Sequence, residues 1–260
     1  MKGRHGLIAA CAVIYFFLML PLLVVFPISL SSAPYMQFPP PGFSTQWYER
    51  YLDDPQWIDA TIRSLYIGVA TAILALALGV PLAFSLVRGK FIGKGLLDRI
   101  AMAPVIVPTI IVSVAVYGLF AKLKLIGMWY GLVVAHTVLA LPFVVLVMVA
   151  GLRDFDRVLE QAAEGLGASR FRTLSRVTLP LLRPSLVSAA LLAFITSFDE
   201  VVVALFLSGS NMTLPKKMFD NILMEIDPTI AAVSVMQILL VSIVLVLIGR
   251  FGRGLSGSAH

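Results

Sequence analysis

Six long apolar runs constrain this chain more than any other feature of its sequence. They fall at about 8–30, 62–87, 100–121, 128–151, 182–207 and 230–250. A helix needs roughly 20 apolar residues to cross the hydrocarbon core of a bilayer, and each run reaches that length. The runs lack the alternation of barrel strands, and backbone polar groups in lipid need internal partners. The sequence therefore predicts an all-α membrane protein with six transmembrane helices in a single domain over 1–260.

Composition excludes several other classes of protein. With 59% hydrophobic and 13% charged residues, the chain has too little polar surface for a water-soluble globule. A net charge of +6 can indicate nucleic acid binding, but the basic residues lie in short gaps and do not cluster with aromatic residues. Cys11 is the only cysteine and lies in an apolar run. We therefore expect no nucleic acid partner, no disulfide and no cysteine metal site.

The distribution of Lys and Arg predicts the orientation, because basic residues near membrane ends stay in the cytoplasm. With both termini inside, 14 of the 20 basic residues are cytoplasmic. These are Lys2, Arg4, Arg88, Lys90, Lys94, Arg99, Arg153, Arg157, Arg170, Arg172, Arg176, Arg183, Arg250 and Arg253. The first run follows basic residues as a signal peptide does, but it is longer than the usual 7 to 15 residues and has no convincing A-x-A site after it. We expect it to remain as a helix.

Residues 153–183 form the longest cytoplasmic gap, and their pattern indicates short helices outside lipid. Asp154 or Asp156 can cap a first helix that runs through Gly165, because apolar residues recur there at helical spacing. Gly167 permits a tight stop or a change of direction. This helix is predicted to be amphipathic.

A second short helix is predicted in the same gap. Ser169 can cap it, and Phe171, Leu174 and Val177 give it helical spacing. We expect Leu179-Pro180 to break this helix and lead into the fifth span.

The gap also resembles a known motif, the EAA motif of ABC importer permeases. The matching positions are Gln161, Ala162, Ala163, Gly167, Val177, Leu179 and Pro180. The resemblance implies a type I ABC importer permease in which a coupling helix, between helices 4 and 5, docks on an ATP-hydrolysing subunit. The predicted coupling residues are Glu160, Gln161, Ala162, Ala163, Glu164, Gly167, Ala168, Val177, Leu179 and Pro180. Small residues suit this role because they let helix backbones approach closely.

Two positions depart from the motif. Gln161 stands where the family usually has Glu, and Val177 stands where it has Ile. Glu160 or Glu164 could supply the missing charge, but neighbours on a helix lie 100° apart, so neither is equivalent to residue 161. The alternative is an amphipathic helix packed on the membrane surface or on its own bundle.

Asp199 and Glu200 interrupt the fifth apolar run, where a charge costs about 2.5 to 3.5 kcal/mol on insertion scales. Continuous helical spacing would place Thr196 and Asp199 on one stripe, and Ser197 and Glu200 on the next. We predict that these four residues border a substrate path, because paired carboxylates suit a cationic solute. The alternative is a network or ion pair between helices.

The chain resembles spermidine/putrescine-type permeases, specifically the second of their two membrane subunits. The resemblance rests on Ser197–Val203, Leu207–Gly209, Thr213–Lys217, Gly42–Tyr48 and Leu141–Val145. It implies ATP-driven, binding-protein-dependent import of polyamines or related cations by alternating access across the bacterial inner membrane. Permeases for iron, opine or amino-acid-like solutes share this body plan. An ion-coupled secondary transporter and a membrane scaffold are the other readings.

The resemblance also implies the partners. They are a second homologous permease, two copies of a cytoplasmic ATP-binding subunit, an external solute-binding protein and membrane lipid. The chain itself is expected not to be an enzyme and to hold no cofactor, with ATP and Mg²⁺ bound by the ATP-binding subunit. The glycine-rich stretch 89–95 is one spacer residue too short for a P-loop and has Gly95 where Ser or Thr is required.

Two further features have structural interpretations. Trp47, Tyr48, Tyr51 and Trp57 suit a short external helix at the headgroup level, with a docking surface as the alternative. His136 lies in the fourth span without other metal-ligating residues at suitable spacing, so a hydrogen-bonded structural histidine is favoured over a ligand or a proton relay.

Overall fold

The computed structural model describes residues 2–224 and 226–253, and these form helices joined by short loops. The helices are α1 (Lys2–Ser29), α2 (Gln46–Asp53), α3 (Pro55–Arg88), α4 (Lys94–Ile106), α5 (Thr109–Lys122), α6 (Trp129–Asp154), α7 (Val158–Gly165), α8 (Arg170–Thr173), α9 (Leu179–Leu181), α10 (Arg183–Phe198), α11 (Val202–Leu207), α12 (Leu214–Met224) and α13 (Thr229–Arg253). A π-helical turn, Leu174–Thr178, joins α8 to α9. The predicted all-α class is confirmed for the described residues.

Three predicted spans correspond to long continuous helices. The runs at 8–30, 62–87 and 128–151 match α1, α3 and α6, which are apolar and long enough to cross a membrane. Up to five crossings result if each of two bent helix pairs counts once. The sixth run at 230–250 lies in α13, whose described apolar part is Thr229–Ile243. Six crossings stay a prediction, and so does the orientation of the termini, because helix length and composition do not define which side of a membrane each end faces.

The sequence predicts one continuous helix for the third span, but the structure has two helices there. It consists of α4 and α5, which meet at an angle of 105°. Val107 is extended, with φ −81° and ψ 129°. The ring of Pro108 disfavours a helical conformation at the preceding residue, and Pro108 has no backbone N–H to continue the ladder. Pro108 therefore breaks this span at residues 107–108.

The entry into the fifth span also differs from the prediction. The helix does not break at Leu179-Pro180. It continues to Leu181, and the bend of 70° comes at Leu182, where α10 begins. Pro180 and Pro184 each lie in the first turn of a helical segment. A first-turn N–H has no intrahelical acceptor, so proline is tolerated at both positions.

The described chain divides into two compact units, with boundaries after Asp59, after Lys216 and after Val246. Since α3 and α12 run through these boundaries, the single domain predicted over 1–260 stays a prediction.

Small residues form the core of the unit that begins at Ala60. Ala75, Ala140, Ala189 and Ala193, from α3, α6 and α10, have no exposed surface. A Cβ added to Gly151 of α6 would lie 2.2 Å from the Ser185 hydroxyl oxygen, so α6 and α10 are in close contact. Small side chains allow this close helix packing, which holds α3, α6 and α10 together.

The other unit contains the aromatic segment, and its short helix is confirmed as α2. The expected anchoring at the membrane surface is wrong for Trp47, Tyr51 and Trp57, which are only 6%, 6% and 3% exposed. Trp47 Nε1 donates a hydrogen bond to the Ser31 carbonyl at 2.7 Å. The rings therefore pack inside the unit, because a loop that precedes them supplies acceptors and apolar surface. Sequence alone does not distinguish this packing from a headgroup belt.

Asp227 has two partners in this unit. Its carboxylate lies 3.2 Å from Arg50 Nη1 and accepts a hydrogen bond from Thr229 N at 2.8 Å, which caps α13. Asp227→Ala is expected to lower the free energy of unfolding by about 2 kcal/mol, through loss of the cap and of a half-exposed ion pair. Thermal unfolding of the protein in detergent, followed by tryptophan fluorescence, measures this loss. The control Asp53→Ala, at an exposed position, should change stability by less than about 0.5 kcal/mol. Equal midpoints for the two variants would contradict this role of Asp227.

Candidate functional site

The predicted coupling segment has the caps that its sequence indicates. Asp156, one of the two candidates, accepts a hydrogen bond from Val158 N at 2.9 Å and begins α7. Gly167 ends the helix region with φ +90°. Ser169 Oγ accepts from Arg172 N at 3.4 Å and caps α8. A Cβ is disfavoured at such a positive φ, so glycine is required for this change of direction.

The predicted coupling residues divide into two sets according to their exposure. The exposed set is Gln161, Ala162, Glu164 and Gly167. The half-buried set is Glu160, Ala163, Ala168, Val177, Leu179 and Pro180. Apolar side chains beside the exposed set are also open: Val158 is 61% exposed, Leu166 is 91% exposed and Phe171 is 79% exposed. An amphipathic helix with an open apolar side and small residues can dock on another protein.

Glu160 faces the interior of its unit. Its Oε1 lies 2.8 Å from Arg88 Nη2 and accepts a hydrogen bond from the Thr178 hydroxyl. Gln161, the neighbouring residue, is exposed. Glu160 therefore does not supply a carboxylate on the exposed side where Gln161 lies, and the exposed Glu164 is the carboxylate of α7 that remains open to a partner.

The predicted continuous stripe of the fifth span is wrong. Helix α10 ends at Phe198 and α11 begins at Val202, so residues 199–201 form a break. Glu200 Oε1 accepts a hydrogen bond from Val203 N at 3.0 Å and so caps α11. Two adjacent carboxylates disfavour a continuous apolar helix, and a break provides backbone N–H donors for them.

This break borders a cleft of about 390 Å³. Thr196 and Glu200 line it on one side, together with Leu139 and Phe143 of α6 and the α4–α5 break at Val107-Pro108. The two broken helices therefore face one cleft. Such discontinuous helices expose backbone polar groups and form solute sites in membrane transporters.

Asp199 is exposed and does not line this cleft. Within residues 2–224 and 226–253, neither Asp199 nor Glu200 has a Lys, Arg or His at ion-pair distance. An ion pair with another helix of this chain is thus not found among the described residues. A carboxylate without a cation in an apolar cleft can accept a positively charged group.

Ser197 belongs to a different set of contacts from the one predicted. It is 5% exposed, donates to Thr71 Oγ1 at 3.2 Å and lies 2.8 Å from His136 Nδ1. His136 is 1% exposed, so its predicted hydrogen bond is present, and its structural role stays a prediction. The described residues contain no group of three or more potential metal ligands. This network joins α3, α6 and α10 just before the break, which helps to fix the position of Glu200.

Three parts of the site were not found by sequence reasoning. Arg88 was counted only as a cytoplasmic cation, Thr178 was not considered, and the third span was predicted without a break at Val107-Pro108. The dipeptide X-Pro in a long apolar run was a usable signal for the break. The pairing of Arg88 with Glu160 joins residues 72 positions apart and had no signal in the sequence.

Comparison with known proteins agrees with this architecture. Residues 75–257 match the family described as binding-protein-dependent transport system inner membrane component. The chain is 33% identical to the spermidine/putrescine transport system permease protein PotC of Haemophilus influenzae, over 92% of each chain. It is 33% identical to the putrescine transport system permease protein PotI of Escherichia coli K12, over 78% of this chain and 75% of that one.

Solved structures show the same fold. A bacterial ABC transporter involved in import of the acidic polysaccharide alginate has a TM-score of 0.73 at 19% identity, covering 96% of this chain and 97% of that chain. An inward-facing MetNI methionine ABC transporter has a TM-score of 0.62 at 20% identity, covering 77% and 98%. These neighbours are type I ABC importer permeases, and the predicted fold class is confirmed. The chain belongs to the family of binding-protein-dependent transport system inner membrane components, and it is a multi-pass membrane permease.

Proposed function

We propose that this chain is one permease subunit of an ATP-driven importer for polyamines or related small cations. The observation that carries the proposal is the cleft between two broken helices, where the Glu200 carboxylate lies without a cation partner among the described residues. A carboxylate in an apolar cleft needs a positively charged partner and hydrogen-bond donors, and an amine provides both. The names of the relatives PotC and PotI support this class of solute.

The coupling segment supports ATP hydrolysis by partner subunits as the source of energy. Gln161 and Glu164 of α7 are exposed, and so is Gly167, which follows the helix. Together they form an open surface next to the apolar Leu166 and Phe171. Its proposed partners are two copies of a cytoplasmic ATP-binding subunit, which hold ATP and Mg²⁺. A second homologous permease would complete the pathway, and an external binding protein would deliver the solute. Both termini would then face the cytoplasm.

The proposed mechanism is alternating access. Movement of the docked segment would pass through the π-helical turn and α9 into α10, which ends at Phe198, just before Glu200 in the break. The breaks at 107–108 and 199–201 provide the positions where helix halves can change their angle. Displacement of these halves would open the cleft to one side of the membrane and then to the other.

The test uses the complex of this chain with its partner permease, ATP-binding subunits and binding protein in proteoliposomes. We expect uptake of radiolabelled putrescine or spermidine that requires hydrolysable ATP. Uptake driven by an ion gradient without ATP would favour a secondary transporter and overturn the proposal. ATP-driven uptake of methionine or molybdate, with no polyamine uptake, would agree with an ATP-driven importer but would overturn the proposal that its solute is a cation.

A further inference from the structure

Arg88, the last residue of α3, lies at the cytoplasmic end of its unit among aromatic rings and one carboxylate. Its guanidinium carbon is 4.8 Å from the centre of the Phe84 ring and 5.9 Å from that of Phe155. Its Nη2 is 2.8 Å from Glu160 Oε1, and the two side chains are 23% and 12% exposed. Partial burial reduces solvent screening, and two rings restrict the guanidinium, so this pair has a defined geometry.

The same carboxylate oxygen connects a third element. Glu160 Oε1 also accepts a hydrogen bond from Thr178, whose side chain has no exposed surface. Thr178 ends the π-helical turn, a rare wide turn of the kind that often occurs at functional positions. One atom of α7 thus contacts the end of α3 and the start of the path into α10.

The surroundings of this pair are otherwise open. A cleft of about 440 Å³ lies beside it, lined by charged residues of the coupling segment, namely Arg157, Glu164 and Arg170. Helix α7 packs against α8 and the π-helical turn. The Arg88–Glu160 pair therefore joins α7 to α3 at the edge of an open cleft.

We propose that Arg88 is a positioning residue which ties the coupling helix α7 to α3. Displacement of α7 by the ATP-binding subunit is then transmitted to α3 through Glu160 as well as to α10 through the π-helical turn. Since α3 carries Thr71, which bonds Ser197 just before the break at 199–201, both routes converge on the cleft. This inference rests on the proposed importer function and adds a second route for its conformational change.

The test compares solute transported per ATP hydrolysed in proteoliposomes that contain the complete complex. For Arg88→Gln, this ratio is expected to fall by about tenfold, the size of an ordinary coupling free energy between two sites. Arg88→Lys keeps the charge but loses the planar fork, so it should recover part of the ratio. The control Arg153→Gln removes an exposed arginine at the same cytoplasmic end and should retain the wild-type ratio.

Two measurements separate a coupling role from a general loss of structure. The binding-protein concentration that gives half-maximal uptake should stay within about twofold of wild type, while maximal uptake falls. Glu160→Gln removes the negative charge of the same pair and should lower the ratio in the same direction, which keeps the test available if Arg88→Gln does not assemble. Wild-type ratios for Arg88→Gln or, failing its assembly, for Glu160→Gln would overturn the inference. If the unmodified complex shows no solute-stimulated hydrolysis, the proposed importer function is what fails.

Discussion

Polyamine uptake should fall by about 30-fold or more when Glu200 is replaced by Gln, since truncating a desolvated charge pair costs roughly 2–5 kcal/mol. Glu200 lines the cleft between the two broken helices, and a glutamine there lacks the negative charge that a protonated amine requires. The glutamine Oε1 can still accept from Val203 N, so α11 keeps its cap. Initial rates of putrescine uptake in proteoliposomes, with ATP in excess, measure the effect.

Asp199→Asn is the matched control for this substitution. Asp199 is adjacent in the sequence and carries the same charge, but it is exposed and does not line the cleft. We expect its uptake rate to stay within about threefold of wild type, as for a surface charge of small energetic weight. The double variant should match Glu200→Gln. Normal polyamine uptake by the double variant would exclude a cation site at this break, and a greater loss for Asp199→Asn than for Glu200→Gln would reverse the assignment.

Gly167→Val should abolish solute-stimulated ATP hydrolysis and copurification with the ATP-binding subunit. Gly167 has φ +90°, where a β-branched side chain is strained, and the left-handed region costs a non-glycine residue about 1–2 kcal/mol. Apart from Gly167 itself and its two chain neighbours, no heavy atom of the described residues lies within 4 Å of an added Cβ. The new side chain would therefore project into open space at the end of α7, on the surface that we propose for docking. Less than about a tenth of wild-type association is expected, because strain and steric exclusion act together.

Gly165→Val provides a control with the same side chain in the same segment. Gly165 also has open space around an added Cβ, but it lies at the end of α7 without a positive φ. Its expected cost is below about 1 kcal/mol, since valine is no worse than glycine in a helix. Association should therefore fall less at Gly165, where steric exclusion acts without backbone strain, than at Gly167. If both variants bind the ATP-binding subunit as wild type does, the docking surface does not include this end of α7.

In the coupling segment, local sequence signals were enough to predict the helix caps, but they were not enough to predict a long-range contact. Asp156, Gly167 and Ser169 act within three residues of themselves, so their capping roles could be read from the chain. The orientation of the Glu160 side chain could not be predicted, because its partner Arg88 lies at the C-terminal end of α3, 72 positions earlier in the chain. The missing glutamate at 161 was therefore a real departure, which the neighbouring carboxylate does not compensate.

The fifth span illustrates the opposite error. Its acidic residues were correctly singled out as costly in lipid, but helical periodicity was extended through them. The chain instead breaks at 199–201, which separates Ser197 from the cleft and places Glu200 at the N-terminus of α11. The contribution of all four predicted residues to solute passage stays a prediction.

Run length and hydrophobicity were sufficient to determine the all-α membrane class and the positions of most helices, because lipid leaves the backbone few alternatives. Short-range caps were sufficient to determine where α7 begins and where its segment turns. Tertiary structure alone decided that Trp47 and Tyr51 of α2 are buried, that Glu160 contacts Arg88, and that two broken helices share one cleft. Each of these depends on which distant side chains meet, and the helical period of a single segment contains no information about its neighbours.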